Sequence, residues 1–286
     1  VDVNPCGIVY NPLSAANTLR LLLDGKTFTP EDLILVNGKW ASLYHHGDFS
    51  SPDQAECLSR INDRLERARR QLAAADTLII TWGTAWVYDH LRSGVTVANC
   101  HKLPPQEFKR RRLDIDEIVE EYSRLLVRIR EAVPSIRVIF TVSPIRHWKD
   151  GAHGNQLSKA ALLLAIDALR EKFPDVSYFP SYEIVLDELR DYRFYADDML
   201  HVSPFAVNYI WERFKETYLP ASLQTLMARV DRVNKGVNHR PFDSSSEEYR
   251  RFARNLLAEM EAITRDAPRA DFSRERAALL ARLEAE

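Results

Sequence analysis

The sequence predicts an α/β protein built on a mostly parallel sheet and followed by a helical C-terminal extension. Three observations carry this. Compact β-branched and apolar runs of strand length occur at Thr77 to Thr81, Val138 to Val142 and Val176 to Phe179. Each follows a segment with apolar residues at helical spacing and ends in a polar loop, the order that parallel sheets require. From about Phe205 onward the pattern is helical, interrupted near Asn238 to Ser246.

Taken in order, Val1-Asp2-Val3 reads as a short strand ended by the turn-rich Asn4-Pro5-Cys6-Gly7. Asn11-Pro12 opens a helix from about Ser14 to Asp24, with Gly25 as its stop. Leu33 to Val36 and Lys39 to Tyr44 flank Asn37-Gly38, a type I′ hairpin signal. Ser51-Pro52-Asp53-Gln54 predicts a helix to about Ala74, with Ser51 as N-cap, Pro52 at the first position and Gln54 closing a capping box. A second hairpin is expected over Trp86 to Asn99. Asp114 and Glu117 then start a helix whose Ile118, Leu125, Ile129 and Val133 share a face, ending before Pro134. A last helix of the sheet region runs from about Leu157 to Lys172.

Composition narrows the function. The 286 residues are 45% hydrophobic and 28% charged, and 39 Lys+Arg against 41 Asp+Glu leave a net charge of −2. That excludes a disordered chain and argues against a nucleic-acid partner. No apolar run of about 18 residues or more suggests a membrane span. The opening residues lack the charged and apolar segments of a signal peptide. Cys6, Cys57 and Cys100 are sparse, odd in number and outside any Cys-x-x-Cys spacing, so a reducing, cytoplasmic setting is expected. The length accommodates a domain over residues 1–220 and a helical extension over 221–286.

Ligands of open parallel sheets bind beyond the carboxyl ends of the strands. That rule selects four loops, Asn4 to Pro12, Thr81 to Tyr88, Ser143 to Asn155 and Ser181 to Ser203, which are also the richest in His, Asn, Ser, Arg and Asp. Asp198 precedes His201 by three residues, a spacing at which a carboxylate can orient an imidazole that serves as general base; a capping Asp beside a surface His is the plainer alternative. Arg146 and His147 place donors in the loop after Val142, where the plainer reading is a polar loop with Asn155 capping the next helix. Gly83 and Thr84 form a turn able to donate to an oxyanion, or simply a tight turn beside a packed tryptophan. Asn99-Cys100-His101-Lys102 concentrates donors, but neighbours in an extended strand face opposite ways, so His101 is poorly placed to activate Cys100. The His residues lack metal-ligand spacing, and no metal or cofactor is expected. Lys109 to Arg112 reads as a solvated or locally paired basic run.

The blocks Asn4 to Gly7 through Tyr10-Asn11-Pro12, Thr81 to Tyr88, Asn99 to Lys102, Val142 to His147, Tyr178 to Glu183 and Asp187 to Phe194, ahead of Asp198–His201, resemble the GSCFA-domain family in that order. The resemblance runs from the first residues to about Phe242. It implies an SGNH/GDSL-type hydrolase: a flavodoxin-like three-layer α/β/α sandwich with a Ser, His and Asp catalytic set. By position, His201 would be the general base and Asp198 its orienting carboxylate. Gly7 would match the second-block glycine that lines the oxyanion hole. The third block usually supplies an Asn where this chain has Gly83-Thr84-Ala85, leaving Thr84, Asn99 and His101 as substitutes. His101, Lys102, Arg146 and His147 would bind a polar or anionic part of the substrate.

The Gly-Ser-Cys-Phe-Ala motif that would bear the nucleophilic serine does not occur in the 286 residues. The expectation is therefore a truncated start, with the serine upstream of Val1 and the central strand of a 2-1-3-4-5 order missing. An unpaired sheet edge beside Thr77 to Thr81 should follow. The expected activity is ester hydrolysis or acyl transfer on a small-molecule or carbohydrate ester, with oligomeric state open. The competing class is a non-catalytic binding or interaction protein on the same scaffold.

Overall fold

In the computed structural model, residues 1–239 and 246–284 are described, and the chain opens as irregular backbone. Val1 to Val3 does not form the expected strand. Its residues are exposed, and Asp2 is drawn instead to Arg64, which donates to both carboxylate oxygens (2.9 and 2.7 Å) and to Val3 O (2.8 Å). Helix α1 (Pro12–Leu23) is capped by Asn11, whose Oδ1 accepts from Ser14 N at 2.8 Å. Strands β1 (Ile34–Val36) and β2 (Lys39–Ala41) form the expected hairpin, with Asn37 and Gly38 at φ 50° and 74°.

Helix α2 (Gln54–Ala73) has its cap two residues later than expected. Asp53 Oδ1 accepts from Glu56 N at 3.0 Å, while Ser51 Oγ accepts from Asp53 N at 3.1 Å and bonds the Glu56 carboxylate. A carboxylate serves this end better than a hydroxyl because it also meets the positive end of the helix dipole.

The sheet strands are β3 (Thr77–Trp82), β6 (Arg137–Val142) and β7 (Val176–Phe179), with the ribbon strands β4 (Trp86–His90) and β5 (Phe108–Arg112) lying between β3 and β6 in the chain. The sheet is parallel in the order β3-β6-β7, in register from Thr77↔Arg137 to Trp82↔Val142 and from Val138↔Val176 to Thr141↔Phe179. Helices α3 (Ile115–Ala132) and α4 (Gly151–Lys172) pack with α1 on the face that carries Ile80, Trp82, Val138 and Phe140. On the opposite face, short helix α5 (Ser181–Glu183), continued as a π-helix over Ile184–Leu189, ties Ser181 Oγ to Thr141 Oγ1 and Val142 O, both at 2.7 Å. The architecture is mixed α/β, consistent with a three-layer α/β/α fold. The unpaired edge expected beside Thr77 to Thr81 is present: among the described residues β3 pairs only with β6, and Ile79 is 50% exposed.

The second hairpin differs from expectation. β4 pairs antiparallel with β5, from Trp86↔Arg112 to His90↔Phe108, and Thr96 contributes only a bridge to Asp89. The basic run is thus a strand in which two of the four cations, Arg110 and Arg111, are paired with carboxylates. Arg110 meets Asp150, and Arg111 meets Asp89 and Glu117, each at 2.6 Å, while the Arg110 guanidinium lies 4.1 Å from the Trp86 ring centroid. Helix α4 starts at Gly151, not Leu157, because Asn155, Ser158 and Lys159 are buried polar residues that hide the apolar period.

The chain continues through α6 (Pro204–Tyr218), α7 (Ala221–Asn238), α8 (Glu247–Asp266) and α9 (Ser273–Glu284). The expected interruption after Asn238 includes residues 240–245, which lie outside the described residues. The chain divides into compact units Val1–Asn208 and Tyr209–Glu286. In the second unit Val233, Val237, Ala253, Met260, Ile263 and Leu279 form a core. Among the described residues no helix is long and apolar enough to cross a membrane.

Candidate active site

Contacts link the four loops chosen by the strand-end rule in sequence. Tyr10 O accepts from Gly83 N (2.7 Å) and Thr84 N (3.0 Å), joining the first loop to the second. The third loop meets both: His147 Nε2 lies 3.3 Å from where a Cβ on Gly83 would sit, and its ring meets Tyr10 edge-on at 6.0 Å. Arg146 reaches the fourth, donating to Tyr195 Oη at 3.2 Å with its guanidinium 4.6 Å from that ring's centroid.

The fourth loop is a tight reversal closed by a Tyr195↔Val202 bridge and by Ala196 N donating to His201 O at 2.8 Å. Met199 turns the chain at φ 61°. Asp198 Oδ1 accepts the N–H groups of Leu200 and His201, both at 2.9 Å, and Oδ2 lies 2.5 Å from His201 Nδ1. The hydrogen bond to the imidazole, followed by those two amides, brings the Asp198 carboxyl down to about 2. An aspartate at Nδ1 fixes the proton there and leaves Nε2 as the basic nitrogen. Among the described residues Nε2 has no hydrogen-bond partner, and the side chain is 62% exposed.

Three side chains on one face of α4 organise the mouth, spaced i, i+3 and i+4. Asn155 Oδ1 accepts from His147 N at 3.0 Å. Ser158 Oγ accepts from Ala85 N at 2.7 Å and meets Thr84 Oγ1 at 3.1 Å. Lys159 Nζ donates to Gly83 O at 2.6 Å and Ser143 O at 2.5 Å. The sequence offers Asn155 as a cap in the plainer reading and carries the polar run that begins at Ser143 on to Ser158-Lys159, without a role of its own for Lys159. The signal was there, as three polar residues on a face that continues into Leu162, Ile166 and Leu169.

The remaining predicted residues divide by what already occupies them. Gly7, at φ 82° with the His46 Cβ 2.2 Å from where its own Cβ would sit, admits no side chain; its N–H donates to Asn4 O at 2.9 Å. Thr84 is buried, with its N–H on Tyr10 O and its hydroxyl accepting from Trp86 N at 3.1 Å. Asn99 Oδ1 accepts from His101 N at 2.8 Å, and its amide NH2 makes no hydrogen bond among the described residues. His101 and Lys102 lie in a turn at φ 49° and 60°, not in a strand. His101 Nε2 donates to Ser42 O at 2.8 Å, while Lys102 is exposed. Burial holds the His147 imidazole below its usual range, with the charge of Lys159 adding to the effect. Burial likewise raises the Cys6 thiol to about 11 and moves Cys100 up, against a thiolate nucleophile. Among the described residues no three His, Cys, Asp or Glu side chains converge to hold a metal.

The model of the GSCFA family matches residues 1–214, and that of the GSCFA domain protein, C-terminal domain, matches residues 230–285. Neither the curated proteins nor the solved structures give a match.

Proposed function

The chain belongs to the GSCFA family, and from that premise we propose that it carries the base and carboxylate of an SGNH-type serine ester hydrolase or acyl transferase. The observation that carries this reading is the Asp198–His201 pair, with Nδ1 held at 2.5 Å and Nε2 left without a partner among the described residues. Paired through Nδ1 with a carboxylate, an imidazole accepts a proton at Nε2 and its cation is stabilised. In this reading a serine upstream of Val1 attacks the ester carbonyl. His201 takes the hydroxyl proton and returns it to the leaving alcohol, and the acyl-enzyme is then released to water or to an acceptor alcohol. Arg146 and His147 border the mouth and suit a polar or anionic portion of a small-molecule or carbohydrate ester. Three free thiols accord with a cytoplasmic setting.

Of the oxyanion candidates, the Gly7 and Thr84 amides and His101 Nε2 already donate hydrogen bonds, while the Asn99 side-chain amide keeps an uncommitted donor among the described residues. That observation favours the second reading, a binding protein on a hydrolase-like scaffold. Kinetics on the natural full-length polypeptide separate the two. With p-nitrophenyl acetate, His201→Ala is expected to lower kcat/KM by about 10⁴-fold. Hydrolysis that survives the change shows that His201 is not the base, and absence of hydrolysis in the unmutated protein favours the binder.

A further inference from the structure

Lys159 has no place in the proton-transfer scheme, yet its setting is unusual. The residue is 1% exposed, and Nζ donates to Gly83 O and Ser143 O, the first carbonyls beyond the ends of β3 and β6. Among the described residues no carboxylate pairs with it. The groups that face it are the Tyr182 ring, 5.7 Å from Nζ, and the imidazole of His147. The charges of Asp150 and Arg110 also act on that imidazole, and that of Arg146 acts on Tyr182. A buried cation without a counter-ion is costly, and here two backbone carbonyls are its hydrogen-bond partners.

We propose that Lys159 is the positioning residue of this site: its ammonium draws the Gly83 and Ser143 carbonyls together, fixes the Gly83–Thr84 turn, and sets a positive charge beneath the mouth. The clamp rests on geometry alone; its chemical consequence rests on the hydrolase reading, where that charge favours the oxyanion of the tetrahedral intermediate. Both bonds are charge-assisted while Nζ is protonated. Burial brings the Lys159 ammonium down to about 7, so the clamp weakens as the medium turns alkaline. The turn it holds already spends its own amides on Tyr10 O, so losing Lys159 loosens three loops at once.

The test is Lys159→Met in the natural full-length polypeptide. Ester kinetics should show kcat down by about 10- to 100-fold with KM changed less than about twofold. The unmutated protein should lose kcat as pH rises through about 7, and that limb should be missing from the variant. A variant that folds and keeps both the rate and the limb overturns the proposal. Should the unmutated protein hydrolyse no ester, the hydrolase reading falls, and amide exchange then judges the clamp. The Gly83 and Thr84 amides should exchange at least about 10-fold faster in Lys159→Met, and unchanged protection overturns the proposal. Should Lys159→Met not fold, Lys159→Gln, whose side-chain amide can donate to only part of the carbonyl pair, is read by the same exchange measurement; faster exchange at Gly83 and Thr84 supports the clamp and unchanged protection overturns it.

Discussion

His45 shows how much of this protein's pH range one side chain can set. Its ring is fully buried between Phe28 and Phe49, at 5.0 and 5.1 Å, with Nδ1 on Ser42 Oγ at 3.0 Å and Nε2 without a partner among the described residues. Burial brings this imidazole down to about 3, and the nearby charge of His101 pushes the same way. The folded protein therefore keeps His45 neutral where the unfolded chain takes up a proton. Its stabilising effect is complete above pH 6.5 and is lost as pH falls toward 3, at about 1.4 kcal/mol per pH unit. Replacing His45 by Phe should make stability less sensitive to acid. Urea midpoints at pH 7, 6, 5 and 4 should decline less steeply in the variant, and parallel declines would show that His45 does not carry the acid response. At this scale the sequence was informative where chemistry is local: Asp198 and His201 are three residues apart and could be read together. Lys159, 76 residues from the Gly83 carbonyl it holds, could not.

Elements of this fold are joined by a few buried polar ties. Trp82 Nε1, at the end of β3, donates to Tyr122 Oη on α3 at 3.1 Å, and that hydroxyl donates to Pro12 O at the start of α1, at 2.9 Å. Tyr122→Phe preserves the ring contacts with Trp82 and Phe140 but strands the Trp82 indole N–H in the core. A loss of about 1–3 kcal/mol in urea unfolding is expected, and a change below a few tenths would mean that water or a shifted backbone replaces the tie. Element boundaries were legible wherever a backbone rule applied, as at Asn37-Gly38 or the Asn11-Pro12 start. They were lost where side chains far apart in sequence supply the reason. β5 was hidden because Arg110 and Arg111 look solvated until Asp150, Asp89 and Glu117 are brought beside them. Val1 to Val3 read as a strand from its valines, but three residues without a sheet neighbour gain nothing from extended pairing, and Arg64 claims Asp2.

For the whole molecule, the repeated helix–strand–loop order sufficed to anticipate a parallel sheet, and the strand-end rule sufficed to choose the four loops that Tyr10, Gly83, His147 and Tyr195 connect. Membership of the GSCFA family covers residues 1–214, the stretch that contains every group placed at this mouth. The central claim is that His201, held by Asp198, activates a serine for attack on an ester. Fluorophosphonate labelling of the natural full-length polypeptide, read by peptide mass spectrometry, tests it most directly. One labelled serine is predicted, with labelling lost in His201→Ala. A protein that takes up no label, or one whose label persists without His201, would contradict it.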